Sequence, residues 1–337
     1  MNRHLSELIF KFSVQNILFT NKKIYSFLIK LLIGVISFWI IFKRLNEIPD
    51  LKEQIIYWFS EPKMYLVLVV VLFLMPINWG IESYKWQSIT KQIESVTYIT
   101  AIKSVFSGIC VGNIAPGRAM EFLAKIMFFK QENRPNITIL HFINGMYQML
   151  ITVSVGLLAI IYKLNENNES QRFILFILGL GLCMMLFFCW AILNVNIIQK
   201  KLKFIRWFQK FENSTELKMP KALITKQIGL SVIRYIVFTT QFYLIYNALI
   251  PQNNVMDIFM SIAAYFMLTS IIPMISIIEP AIRAAIALFV FKNSNDSTVT
   301  IILSSTFLWI INVVVPSAIG YIIILREKID IKSAHAN

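Results

Sequence analysis

Apolar residues run along this chain in stretches of about 20, with polar residues gathered between them and without the period-two alternation of a membrane strand. The pattern predicts an all-α, polytopic helical membrane bundle. Uninterrupted spans are expected at Ile24–Phe42, Met64–Ile81, Thr138–Tyr162, Arg172–Leu193, Ala222–Ile250 and Val299–Leu325. Pro76, inside the second, is tolerable because neighbouring helices can satisfy the carbonyl it frees. Glu82–Thr100 reads as a polar connection whose Tyr84, Trp86 and Tyr98 suit the headgroup level. Residues 1–23 place Leu5, Leu8, Ile9 and Phe12 at helical spacing among Arg3, Lys11, Lys22 and Lys23, as a cytoplasmic amphipathic helix would. They do not form a cleavable signal, because the apolar run begins only near Ile24 and no small-residue cleavage site follows a short one. Asn194–Lys221 is the most basic connection, with Phe204, Phe208 and Phe211 recurring in it as on an interfacial helix. The layout is therefore residues 1–23 at the surface, a single transmembrane domain over 24–325 and a short cytoplasmic tail over 326–337.

Two apolar segments are interrupted. Ala101–Phe129 breaks at Asn113-Ile114-Ala115-Pro116-Gly117 and resumes with Arg118 and Glu121. Pro116 has no amide proton, Gly117 admits conformations closed to other residues, and the stranded backbone groups need protein or water around them. Arg118 and Glu121 share one helical face, and each is costly at membrane depth unless paired. Ile258–Phe291 repeats the theme with Pro273, then Pro280 flanked by Glu279 and Arg283. Such breaks in two halves of a chain point to a transporter-like site at a repeat interface, although the halves share no further identity. Arg234, one to two turns inside Ala222–Ile250, also needs a polar partner or a water-filled cavity. The candidate substrate-binding residues are Asn113, Pro116, Gly117, Arg118, Glu121, Arg234, Glu279 and Arg283.

Composition narrows the chemistry. A chain of 337 residues that is 57% hydrophobic, with mean hydropathy +0.66, is an integral membrane protein. Its net charge of +14 sits mainly in the connections, where it sets topology and attracts anionic lipid, so nucleic acid is not an expected partner. Cys110, Cys183 and Cys189 lie in apolar runs without a C-x-x-C pair and read as buried packing residues. His4, His141 and His335 are too scattered for a metal site. No metal, cofactor or nucleophile–base constellation is expected, so an enzyme is the weaker class.

Gly112-Asn113 followed by Pro116-Gly117-Arg118 and Glu121, then Pro273 ahead of Glu279 and Arg283, resembles the transmembrane region of lysylphosphatidylglycerol synthases, a large group of flippase-like membrane proteins. The chain departs from that pattern at Met120, where members often have glycine, and at Ile277 and Ile278, where the approach is often glycine-rich. The resemblance implies a multi-pass protein of the bacterial inner membrane and movement of a modified phospholipid between leaflets. Full-length synthases carry an aminoacyl-transfer domain after this region, and this chain ends at Asn337.

The leading expectation is a flippase-like protein for an anionic or zwitterionic, phosphate-bearing lipid, a lipid-linked sugar among the candidates, with Arg118 and Arg283 clamping phosphate and Glu121 and Glu279 neutralising them when the site is empty. Arg118 and Glu279 are expected to meet in the membrane interior. The structural alternative keeps Arg118/Glu121 and Glu279/Arg283 as permanent pairs locking two hairpins. The alternative function is the membrane subunit of a lipid-modifying transferase or of a split aminoacyl-phospholipid synthase, with the partner enzyme unknown.

Topology follows from charge. With basic Asn194–Lys221 in the cytoplasm, Ala222–Ile250 delivers the loop PQNNVMD, which lacks Lys and Arg, to the outside. Both basic termini are then cytoplasmic only if each interrupted segment returns to the side it entered, the first from the cytoplasm and the second from outside. Arms of about 11–16 residues, roughly 16–24 Å of helix, fall short of a ~30 Å hydrocarbon core and fit such hairpins. The arrangement leaves Lys43, Arg44, Lys52 and Lys63 outside, against the positive-inside rule. Cysteines placed at Asn253 and Asn295 should both label from outside; labelling of Asn295 from the cytoplasm alone would make the second segment a simple span.

Overall fold

The computed structural model describes residues 39, 51–114, 120–164, 171–202, 216–249, 254–272, 278–291 and 298–327. The amphipathic N-terminus, most of Ile24–Phe42, the Phe204–Phe211 stretch and nearly all of the tail lie outside them. All regular structure among the described residues is helical: α1 (Leu51–Ser60), α2 (Pro62–Thr90), α3 (Tyr98–Ile114), α4 (Glu121–Ile126), α5 (Arg134–Leu164), α6 (Gln171–Leu193), α7 (Val195–Leu202), α8 (Lys221–Leu249), α9 (Val255–Ile271), α10 (Glu279–Val290), α11 (Thr298–Trp309) and α12 (Val315–Arg326). A π-helical turn, Ile310–Val314, joins the last two into one element. Five of these elements are long and apolar enough to cross a membrane, namely α2, α5, α6, α8 and α11–α12.

The expected spans over α5, α6, α8 and α11–α12 form within a few residues of their predicted limits. The polar connection Glu82–Thr100 does not. Helix α2 continues to Thr90, and Glu82, Lys85 and Trp86 are buried in it, Lys85 and Trp86 completely. Apolar content falls after Ile81, but the polar residues turn toward other helices and not toward water, so the helix persists. Tyr84 and Tyr98 are exposed as the headgroup reading expects, whereas Trp86 donates from Nε1 to Ser104 Oγ at 3.0 Å inside the bundle. The cysteines also differ from expectation: Cys110 is buried, Cys189 is half-buried and Cys183 is exposed on the outer face of α6. That face is otherwise lined by Leu175, Phe176, Leu186 and Phe187, as a lipid-facing surface would be.

Prolines shape the spans by the bonds they withhold. Pro316 has no N–H to offer the carbonyl of Asn312 four residues earlier, and that carbonyl instead accepts Trp79 Nε1 of α2 at 3.2 Å. The π-helical turn sits at this point. One residue before the Leu72 carbonyl that Pro76 frees, Gln241 of α8 donates to the Val71 carbonyl at 2.9 Å and ties α8 to α2 at that turn.

Both interrupted segments form helix pairs. The arms of the first, α3 and α4, pack side by side: a Cβ on Gly112 would stand 3.0 Å from the Cβ of Glu121, and one on Gly108 2.7 Å from Lys125 Cγ. Ser104 Oγ donates to the Lys125 carbonyl one turn further along. The spacing G-x-x-x-G at Gly108 and Gly112 thus lets α4 lie against α3. In the second segment α9 and α10 also pack together, and each also meets a long span, α9 against α5 and α10 against α11. Breaks 115–119 and 273–277, which hold Pro116, Gly117, Arg118 and Pro273, lie outside the described residues.

Helix α12 crosses α3 at Gly320, where an added Cβ would run into the backbone carbonyl of Phe106. Backbone cannot yield as a side-chain tip can, so Gly320→Ala should cost ~1–3 kcal/mol and lower the thermal midpoint in detergent. Gly179→Ala, inside α6 where nothing lies within 4 Å, should leave the midpoint unchanged or raise it slightly.

Candidate functional site

The polar residues of α2 recur as Asn78, Glu82 and Lys85, a spacing that sets them on one helical face turned into the bundle. Glu82 is the meeting point. Its Oε1 accepts Asn144 Nδ2 of α5 at 2.7 Å, and its Oε2 lies 3.3 Å from Arg234 NH1 of α8 and 3.5 Å from Lys85 Nζ. Arg234 also donates from Nε to Asn78 Oδ1 at 2.9 Å and from NH1 to Gln148 Oε1 at 3.4 Å, while its guanidinium lies 5.0 Å over the Trp79 ring. Asn312 of the π-helical turn closes the network, accepting from Asn78 at 3.1 Å and donating to Gln241 Oε1 at 3.1 Å. Four spans are therefore joined by charge-assisted and amide bonds within the membrane region. The partner that Arg234 required is Glu82.

Each broken segment contributes its own ion pair. On α4, Lys125 Nζ lies 2.7 Å from Glu121 Oε1, four residues apart, and its ammonium is 5.4 Å from the Trp86 ring centroid. On α10, Arg283 donates from Nε to Glu279 Oε1 at 2.8 Å, and NH2 lies 2.8 Å from the same oxygen. Glu279 is 4% exposed and heads the helix, where the backbone N–H groups favour a carboxylate. The expected meeting of Arg118 with Glu279 falls outside the described residues. The partner described for Glu279 is Arg283, as the structural alternative has it.

These groups converge on one cavity of about 370 Å³. It is lined by Glu121 and Lys125 of the first broken segment, by Tyr265, Thr269, Ser270 and Arg283 of the second, and by Asn78, Glu82, Asn144, Gln148, Arg234, Trp309 and Asn312 of the spans. Of the expected site residues, the cavity thus unites Glu121, Arg234 and Arg283, with Glu279 holding Arg283 from behind. Asn113 stands apart, its amide donating to the Ser317 hydroxyl of α12. Glu82, Lys85, Lys125, Asn144 and Gln148 were not expected. Their signal was polar residues at helical spacing: Asn78, Glu82, Lys85 on α2; Asn144, Gln148, Thr152 on α5; and Glu121, Lys125 on α4. His141, too scattered to suggest a metal, lines the same cavity.

The formal charge is uneven. Among the described residues, the cavity and its backing hold four cations, Lys85, Lys125, Arg234 and Arg283, against three carboxylates, Glu82, Glu121 and Glu279. An excess of cations with guanidinium forks suits an anion with several oxygens.

A multi-pass helical membrane protein with a charged cavity between two broken segments is thereby defined. The chain belongs to the family described as the lysylphosphatidylglycerol synthase TM region, whose model matches residues 27–325. A comparison with curated proteins finds no match.

Glu82 is the residue whose loss exposes the network most. Glu82→Ala leaves buried Lys85 and half-buried Arg234 without their shared carboxylate and should destabilise the protein by ~3–5 kcal/mol. Arg234→Met in that background should recover a large part, read as thermal midpoints of the single and double variants in detergent.

Proposed function

We propose that the protein is flippase-like and moves a phosphate-bearing membrane lipid between leaflets, with the headgroup passing through the cavity between the two broken segments. One observation carries this reading: Lys125 from the first segment, Arg283 from the second and Arg234 from a continuous span line the same cavity, each beside a carboxylate. In the empty state every cation has a counter-ion, so the embedded charges are tolerable. A phosphate entering among them shares the cations with the carboxylates, and the one cation in excess among the described residues offsets part of the incoming charge. The affinity of the site then resides in a sharing of partners, which keeps binding reversible as transport requires. Membership in a family of lipid-related membrane regions supports the same substrate class. Entry of the two hairpins from opposite faces, with Arg118 joining the cation set, completes the proposal.

The test is lipid movement in proteoliposomes containing fluorescent phosphatidylglycerol, followed by dithionite quenching of the outer leaflet. Wild-type protein should make the inner-leaflet pool accessible. The paired variant Glu279→Gln/Arg283→Met, which leaves neither charge orphaned, should slow this on the order of tenfold or more while keeping the fold. Movement no faster than in protein-free vesicles would overturn the reading. Incorporation of a labelled donor into the lipid would place the chain with a transferase instead.

A further inference from the structure

The cavity offers more than charge. Five polar side-chain atoms of residues lining it are buried and without a hydrogen-bond partner: Glu82 Oε2 has Arg234 and Lys85 as ion-pair partners, the Tyr265 hydroxyl faces Arg283, and the remaining three are Oδ1 of Asn144, Nδ1 of His141 and Nε1 of Trp309. Those three come from two elements, α5 and α11, and Asn144 is only 2% exposed. Buried polar groups are nearly always bonded, so open ones beside a cavity mark where a ligand brings its own donors and acceptors. The chemistry of the atoms limits that ligand. Asn144 Oδ1 can only accept and Trp309 Nε1 can only donate. A fully ionised phosphate has no proton for Asn144, and an ammonium has no lone pair for Trp309. A hydroxyl serves both.

The surroundings sharpen the choice. Trp309, Phe238 and Phe266 present aromatic surface to the same cavity, with Phe238 and Phe266 in edge contact at 4.5 Å between centroids. Aromatic faces beside amides suit a ring whose C–H faces are apolar and whose rim carries hydroxyls, which is the anatomy of a sugar. A volume of about 370 Å³ has room for such a headgroup but not for lipid chains as well.

Resting on the phosphate-lipid reading above, we propose that the headgroup taken by this cavity is a sugar joined to the lipid through phosphate. The phosphate lies among Lys125, Arg234 and Arg283, and the sugar hydroxyls complete Asn144, His141 and Trp309. The same headgroup chemistry can hang on a diacylglycerol or on a polyisoprenol.

The experiment needs no variant at its first step. Full-length protein in a polyoxyethylene detergent, chosen because maltosides would compete, is titrated with a ten-carbon isoprenyl phosphate and with the same compound carrying one glucose. A parallel series uses short-chain phosphatidic acid and short-chain phosphatidylglucose. Affinities are read by calorimetry and by thermal-midpoint shift. Glucose should tighten binding about tenfold or more in at least one tail series, and the series with the larger gain identifies the tail. Trp309→Phe, which keeps an aromatic ring and removes the N–H, should erase roughly three- to tenfold of that gain, read as the ratio of the affinities with and without glucose on the same variant. Equal affinity with and without glucose would overturn the sugar assignment, with water completing the open atoms, and would leave the phosphate reading standing. A gain that survives Trp309→Phe intact would overturn the placement in this cavity. Failure of every probe to bind would sink the phosphate reading and the sugar assignment together.

Discussion

The carboxylate of Glu82 is the constraint on which the bundle turns. Lys85 is buried and Arg234 half-buried in the membrane region, where an unpaired charge costs up to several kcal/mol, and both depend on this one acidic group. Asn144 fixes its other oxygen. Helices α2, α5 and α8 are therefore held in one relative position by groups that hydrocarbon would otherwise exclude. Apolar side chains cannot do this in a bilayer, because lipid tails serve them as well as a neighbouring helix does. What fixes the arrangement of this protein is its small number of polar contacts, with close packing at glycine adding to them.

The same economy governs the broken segments. A helix that stops inside a bundle leaves backbone groups and charges to be accommodated, and each segment carries its own ion pair four residues apart, Glu121 with Lys125 and Glu279 with Arg283. Gly108 and Gly112 seat the first pair against α3, and burial of Glu279 at the head of α10 seats the second. The pairs differ in tightness from the central one. Arg283 meets Glu279 through two nitrogens at 2.8 Å, whereas Arg234 and Lys85 stand 3.3 and 3.5 Å from Glu82. Of the two described guanidiniums in the cavity, the one more able to change partner at small loss is thus Arg234 and not Arg283.

Much of this was legible in the order of residues, and what was not has a common cause. The spans over α5, α6, α8 and α11–α12 announce themselves because lipid-facing residues dominate their sums. The interruptions announce themselves through Pro116, Gly117 and Pro273, residues with backbone consequences wherever they fall. Glu82–Thr90 was misread because mean polarity was taken for exposure, although Asn78, Glu82 and Lys85 recur on a single face. The polar stripe Asn144, Gln148, Thr152 was lost for the opposite reason: it is diluted by apolar neighbours within a convincing span. Pairing choices such as that of Arg234 with Glu82, 152 positions apart, depend on which helices adjoin, and no local pattern contains that information.

The π-helical turn at Ile310–Val314 has a consequence for everything beyond it. Each residue in an α-helix advances the azimuth by about 100°, so a turn that accommodates one extra residue resets the angular phase of all that follows. Upstream of it, Leu308 and Trp309 address the cavity; downstream, Ser317 reaches Asn113 and Gly320 abuts Phe106. Restored to regular α-helical winding, one half of this span would point its contacts into lipid. The cavity and the seat of the first hairpin are in this sense gears on a single shaft, and Pro316 is the key that holds them in mesh.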